Sequence, residues 1–144
     1  MDEPILKPVE IRPVLRGFAE EIDVRIPVYS LAEITAEKLR ALLQSKARLL
    51  ERGWGASRVC RDYYDLWNLL QIPDLKSPDL IPLLNQKCVI REIEYKSPND
   101  FVSEDLFSVA RNEWEQQLLP FVPSAPPAEE LLPQVQSFIL SIWQ

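Results

Sequence analysis

At 144 residues the chain suits one domain, burying about two thirds of its unfolded surface. Its 47% apolar and 26% charged residues exclude a wholly disordered protein. The net charge of −6 argues against a general nucleic-acid scaffold, but the charge is uneven. Residues 1–61 carry 11 Lys and Arg against 9 Asp and Glu (net +2), and residues 62–144 carry 5 against 13 (net −8), so only the first stretch suits a phosphate neighbour.

In chain order, residues 8–14 (PVEIRPV) and 22–29 (IDVRIPVY) are rich in β-branched residues and alternate in part, which predicts two short strands. Pro13 and Pro27 assign them edge or terminal positions. Ser30 precedes Glu33 at capping-box spacing, which predicts a first helix from there to about Arg52, stopped where Gly53 and Gly55 flank Trp54. Ser57 is placed to cap a second helix carrying Val59, Tyr63, Leu66 and Leu70. A third follows Ser77-Pro78, with Pro78 in its first turn and Leu80, Leu84 and Cys88 on one side. Ser103 opens a fourth, bearing Phe107, Ala110 and Trp114. The stretch 118–127 (LLPFVPSAPP) reads as a stiff connector to a last helix with Leu131, Val135, Phe138, Ile139 and Ile142.

The expected fold is therefore α+β and mostly α: a short strand pair followed by a bundle of about five helices in a single domain, 1–144. Its parts are a strand pair (1–29), a helix pair (30–72) and a C-terminal helical part (73–144) containing the connector. Two strands alone make a marginal sheet, so the pair looks like a fragment of a larger one. Cys60 and Cys88 lack CxxC spacing, so neither a disulfide framework nor a zinc site is indicated. The start MDEPILKPVE is unlike a signal peptide, and no apolar run approaches the roughly 20 residues of a membrane span. A reducing cytoplasm is the expected location. With no histidine present, any catalysis must use carboxylates, lysine or a bound cation.

Two charged residues break the apolar pattern of neighbouring helices. At about 100° per residue, Lys38 falls among Ile34, Leu42 and Leu49, while Glu33, Glu37, Arg40, Gln44 and Glu51 gather opposite. In the second helix Asp62 lies at the border of the buried face, between Leu66 and Leu69. Arg61, Asp65 and Asn68 point away. Opposite signs fit a structural ion pair between packed helices; they equally fit a pocket in which Lys38 donates to phosphate oxygens and Asp62 orients it. The run Arg40, Lys46, Arg48, Arg52 and Arg58 reads as a solvated basic face or, more sharply, as a transfer-RNA contact.

The segments SLAEITAEKLRALLQ and RDYYDLWNLL together resemble the third and fourth motifs of the AbiEii/AbiGii toxin family of nucleotidyltransferases. Glu37-Lys38, Leu39, Ala41 and Leu42 match the first, and Arg61, Asp62, Tyr64, Asp65 and Leu66 match the second. The resemblance covers roughly residues 8–72. It implies a DNA-polymerase-β-like fold, of whose sheet the strand pair would be a remnant. It also implies transfer of a nucleoside monophosphate from an NTP with Mg²⁺, in some members to a transfer RNA end, and pairing with an antitoxin protein.

On that resemblance Lys38 contacts phosphate and Asp62 is the fourth-motif acid, the two catalytic candidates. Arg61 and Asp65 join Lys38 in the cofactor-binding set, with Asp65 an outward partner for Arg61 or Arg58. Glu10 stands where such enzymes often place a third carboxylate for the metal. The family's paired-glycine first motif and D-x-D second motif do not occur in the sequence. The expectation is thus a C-terminal part of such a toxin, inactive alone. It would be completed by an N-terminal half or by self-association through the strand edge. The alternative is a non-catalytic helical interaction module with a structural Lys–Asp pair.

Overall fold

The computed structural model describes residues 11–13, 25–73, 75 and 78–144. Two three-residue strands, β1 (Ile11–Pro13) and β2 (Arg25–Pro27), pair antiparallel with Ile11 opposite Pro27 and Pro13 opposite Arg25. The remainder of the expected strand segments 8–14 and 22–29 falls largely outside the described residues, apart from two positions in the following helix. Five helices then dominate: α1 (Val28–Arg52), α2 (Val59–Leu69), α3 (Leu80–Ile90), α4 (Glu104–Gln117) and α5 (Ala128–Leu140). The predominantly helical architecture matches the periodicity.

Helix α1 begins at Val28, directly after β2. Ser30 is therefore inside the first turn and not at the helix boundary that the capping-box spacing assigns it. The other end follows expectation. Gly53 takes φ +81, a left-handed value that glycine adopts without a Cβ clash, and its N–H donates to the Leu49 carbonyl at 2.8 Å. Gly55 is also left-handed, at φ +91. Trp54 between them is 64% exposed, with the Arg52 guanidinium 4.6 Å over its ring.

Ser57 does not cap α2. Its hydroxyl donates to Glu113 Oε1 at 2.5 Å, tying the α1–α2 loop to α4, while Arg58 precedes the helix without a side-chain cap. Pro78 lies two residues ahead of α3, in a turn, because the helix starts at Leu80. Ser103 caps α4 as expected, accepting from the Leu106 N–H. A 3-10 turn at Pro98–Val102, with a reciprocal capping box between Ser97 and Asp100, has no counterpart in the sequence reading.

The packing explains which charges are buried. Helix α1 contacts both α2 and α3, and α2 also contacts α4 and α5. Leu39, Leu42, Val59, Tyr63, Leu66, Leu84, Leu106, Leu131 and Ile139 belong to one apolar cluster. Nine of the eleven residues of α2 are buried, among them Asp62 and Asp65. Tyr63 is fully buried, and its hydroxyl donates to the Phe101 carbonyl at 2.7 Å. At the C-terminus Trp143 stacks on Phe101. No described helix is long and apolar enough to cross a membrane.

Candidate functional site

Lys38 leaves α1 one helical turn before Leu42, on the side that meets α2. Its ammonium lies 2.9 Å from Asp65 Oδ2 and 3.4 Å from Asp62 Oδ1, and its side chain is 21% exposed. Asp62 and Asp65 are three positions apart on α2, a spacing that stacks them on one side of a helix. Arg61 Nε donates to both oxygens of Asp65, at 3.1 and 3.4 Å. The structure thus brings together four of the residues singled out from sequence: Lys38, Arg61, Asp62 and Asp65. Glu10 lies outside the described residues.

Asp65 differs from the outward position read from the helical wheel. It does pair with Arg61, but it is buried and makes the shorter of the two contacts to Lys38. A wheel centred on Val59 and Leu70 presumes one covered face; α2 is enclosed by α1, α4 and α5 together, so the side presumed to be wet is covered.

Burial pushes the Asp62 carboxyl above its ordinary value, while Lys38 and Arg58 pull it down and Asp65 pushes it up. Asp62 Oδ2 has no hydrogen-bond partner, and a buried acceptor of this kind is costly to leave unpaired. Beside it opens a cavity of about 290 Å³. Its walls include Glu37, Lys38, Arg40 and Arg48 from α1, Arg58 immediately before α2, Asp62 from the first turn of α2, and Arg91 immediately after α3.

Arg40 and its neighbours correct the simple picture of a solvated polar stripe. Arg40 is 8% exposed and holds Glu37 Oε2 at 2.5 Å, and its Nε finds no acceptor. Across the interface Lys87 of α3, itself 3% exposed, lies 3.9 Å from Glu33 and 3.8 Å from Glu37. The basic run read from sequence also divides. Lys46 pairs with Asp100 at 3.1 Å and Arg52 covers Trp54, whereas Arg40, Arg48 and Arg58 reach the cavity. Arg91 and Lys87 carried no sequence signal, because only the packing of α3 on α1 brings Arg91 to the cavity and Lys87 to Glu33 and Glu37.

Among the described residues no three His, Cys, Asp or Glu side chains cluster as a cation site. Asp62 has one unpartnered oxygen to offer, and a lone carboxylate without substrate phosphates anchors Mg²⁺ poorly. The described residues by themselves do not fit the metal.

Neither the comparison with curated proteins nor that with solved structures gives a match. A family model described as nucleotidyl transferase AbiEii toxin, type IV TA system, matches residues 1–139. That span contains the helix pair with its lysine between two buried aspartates, and this chain belongs to the AbiEii nucleotidyl transferase toxin family.

Proposed function

We propose that this chain supplies the lysine- and aspartate-bearing side of a nucleotidyltransferase site. The reaction is transfer of a nucleoside monophosphate from an NTP to an acceptor such as a transfer RNA end, within a toxin–antitoxin pair. The observation that carries this reading is the Lys38 ammonium, held between Asp62 and Asp65 beside a cationic cavity that Asp62, with one unpartnered oxygen, helps to line. The family match supports it.

In this reading Lys38 donates to a phosphate oxygen and offsets the negative charge that develops during in-line displacement. Asp65, itself steadied by Arg61, fixes where the ammonium sits. Asp62 is left with an oxygen to orient a ligand group. Mg²⁺ bound to such a site supplies Lewis-acid stabilisation of the triphosphate; no step is derived through it, since the described residues do not hold it.

The 144 residues contain no D-x-D, so the proposal includes that metal-binding carboxylates come from elsewhere, in an N-terminal half or another polypeptide. The test is a labelled-NTP transfer assay on RNA with Mg²⁺. The purified chain is expected to give no transfer, and addition of a polypeptide bearing the D-x-D is expected to restore transfer that Lys38→Ala abolishes. Transfer by the chain alone, lost on Lys38→Ala, would overturn the need for a second part. Restored transfer that survives Lys38→Ala would overturn the role of the lysine.

The second reading, a non-catalytic interaction module, is favoured by one observation: both carboxylates already engage the Lys38 ammonium. Under it, replacing Lys38, Asp62 and Asp65 together by apolar residues of similar size is neutral or stabilising and changes no activity.

A further inference from the structure

We propose that the arginine-lined part of the cavity, formed by Arg40, Arg48, Arg58 and Arg91, is an oxyanion site that takes a phosphate group additional to the one assigned to Lys38. This rests on the reading of the cavity as a nucleotidyl-transfer site, and it extends that site to residues outside the two helix motifs.

Three observations carry it. The first is charge. The chain has a net charge of −6, yet this cavity gathers four arginines and a lysine against the carboxylates of Glu37 and Asp62. A cationic recess in an otherwise acidic protein focuses field toward an anion.

The second is free cationic surface. One oxygen of each carboxylate is held, Glu37 Oε2 by Arg40 at 2.5 Å and Asp62 Oδ1 by Lys38 at 3.4 Å, while Glu37 Oε1 and Asp62 Oδ2 make no hydrogen bond. Arg48 and Arg58 are exposed, and no hydrogen bond or ion pair joins either side chain to a described residue.

The third is an orphaned donor. Arg40 is more than nine-tenths buried, and its Nε has no acceptor. A guanidinium only donates, so an acceptor brought by a ligand completes it.

The geometry separates this part from Lys38. Arg48 lies ten positions further along α1, about 15 Å at the helical rise. Arg58 comes from the loop before α2, and Arg91 from the end of α3. There Glu92 adopts φ +55 and Ile93 N–H returns to the Cys88 carbonyl at 2.9 Å, closing the helix immediately after Arg91. Guanidinium groups from three separate segments suit the several acceptor oxygens of a phosphate, which arginine binds in a forked geometry. The phosphate can belong to a free polyphosphate or to the backbone of an RNA acceptor.

The test uses the intact chain without Mg²⁺ and without turnover. Binding of a labelled single-stranded RNA oligonucleotide is followed by anisotropy across a salt series, and binding of pyrophosphate by calorimetry. The Arg48→Ala/Arg58→Ala variant is measured in parallel, with far-UV circular dichroism to check its fold. Loss of two phosphate contacts should weaken RNA binding about tenfold or more and lower the log–log salt slope by about 1.4.

Arginine-dependent RNA binding identifies the backbone as the source. Arginine-dependent pyrophosphate binding without RNA binding identifies a free polyphosphate. Both support the site. Absence of binding by both probes, or affinity and slope unchanged in the double variant, would overturn it. Arginine-dependent binding by a protein that never transfers nucleotide, with or without the D-x-D polypeptide, removes the transfer reading and leaves the oxyanion site. Lys38-dependent transfer with arginine-independent binding removes the oxyanion site alone.

Discussion

Lys38 and Lys87 are both lysines drawn into interfaces of α1, one on its way to α2 and the other arriving from α3. Lys38 keeps its side chain one-fifth exposed and makes contacts of 2.9 and 3.4 Å to two aspartates. Lys87 is almost wholly enclosed, and its glutamate contacts are longer, 3.8 and 3.9 Å. Glu37 joins the two regions, since it lies near Lys87 and also lines the cavity beside Lys38. The difference teaches that burial alone does not mark a ligand site. Lys87 balances charge inside a helix contact, whereas Lys38 sits where buried charge meets a cavity and an unpartnered oxygen. The comparison can be broken or sharpened as follows.

The largest effect is expected at the enclosed lysine. Lys87→Ala leaves Glu33 and Glu37 without its charge and should cost about 3–5 kcal/mol, read by urea unfolding. A cost below about 1 kcal/mol would mean that the α1–α3 cluster does not depend on this cation. Lys38→Ala should cost less, about 2 kcal/mol, because its head is partly hydrated and Arg61 continues to support Asp65. Equal losses for the two variants would erase the distinction drawn between them.

Asp62→Asn probes the same region through pH. Burial raises the folded-state value of Asp62 above its ordinary 3.8, so between those two values the folded protein binds more protons than the unfolded chain. Its contribution to stability is therefore lost as pH rises through that window. The two unfolding free energies should converge below pH 3.8, and the variant should gain on the wild type as pH rises toward neutrality. The opposite trend would show that Lys38 outweighs burial at this carboxylate.

The smallest effect is kinetic. Cys60 on α2 and Cys88 on α3 report the two regions separately. The Cys60 thiol is pushed up to about 12, chiefly by burial, and it faces the Ala110 carbonyl at 3.6 Å. The Cys88 thiol is also raised, but it is slightly more exposed. Thiol-reagent labelling near pH 8 should be far slower than for free cysteine, with Cys88 reacting before Cys60. The reverse order would place the looser packing on the α2 side.

Much of the helix content was legible because it rests on local chemistry. Ser103 caps α4, Gly53 ends α1, and Leu80, Leu84 and Cys88 share the buried side of α3. Ser30 and Ser57 carried the same kind of signal and failed for local reasons of their own: the helix starts earlier in one case, and the hydroxyl bonds Glu113 in the other. A capping residue and a residue with an alternative partner look alike until the neighbouring helix is in place.

What the sequence by itself determined is that two adjacent helices each turn a charge of opposite sign toward their apolar sides, at Lys38 and Asp62. A helical repeat assigns every side chain an angle about its own axis, and that information is complete within one helix. Only the tertiary structure decided the burial of Asp65, Arg40 and Lys87 and the placing of Arg91 in the cavity wall. The angle of a side chain does not say how many faces will be covered. That depends on the number of neighbours, and α1 is packed by both α2 and α3 while α2 is enclosed by α1, α4 and α5.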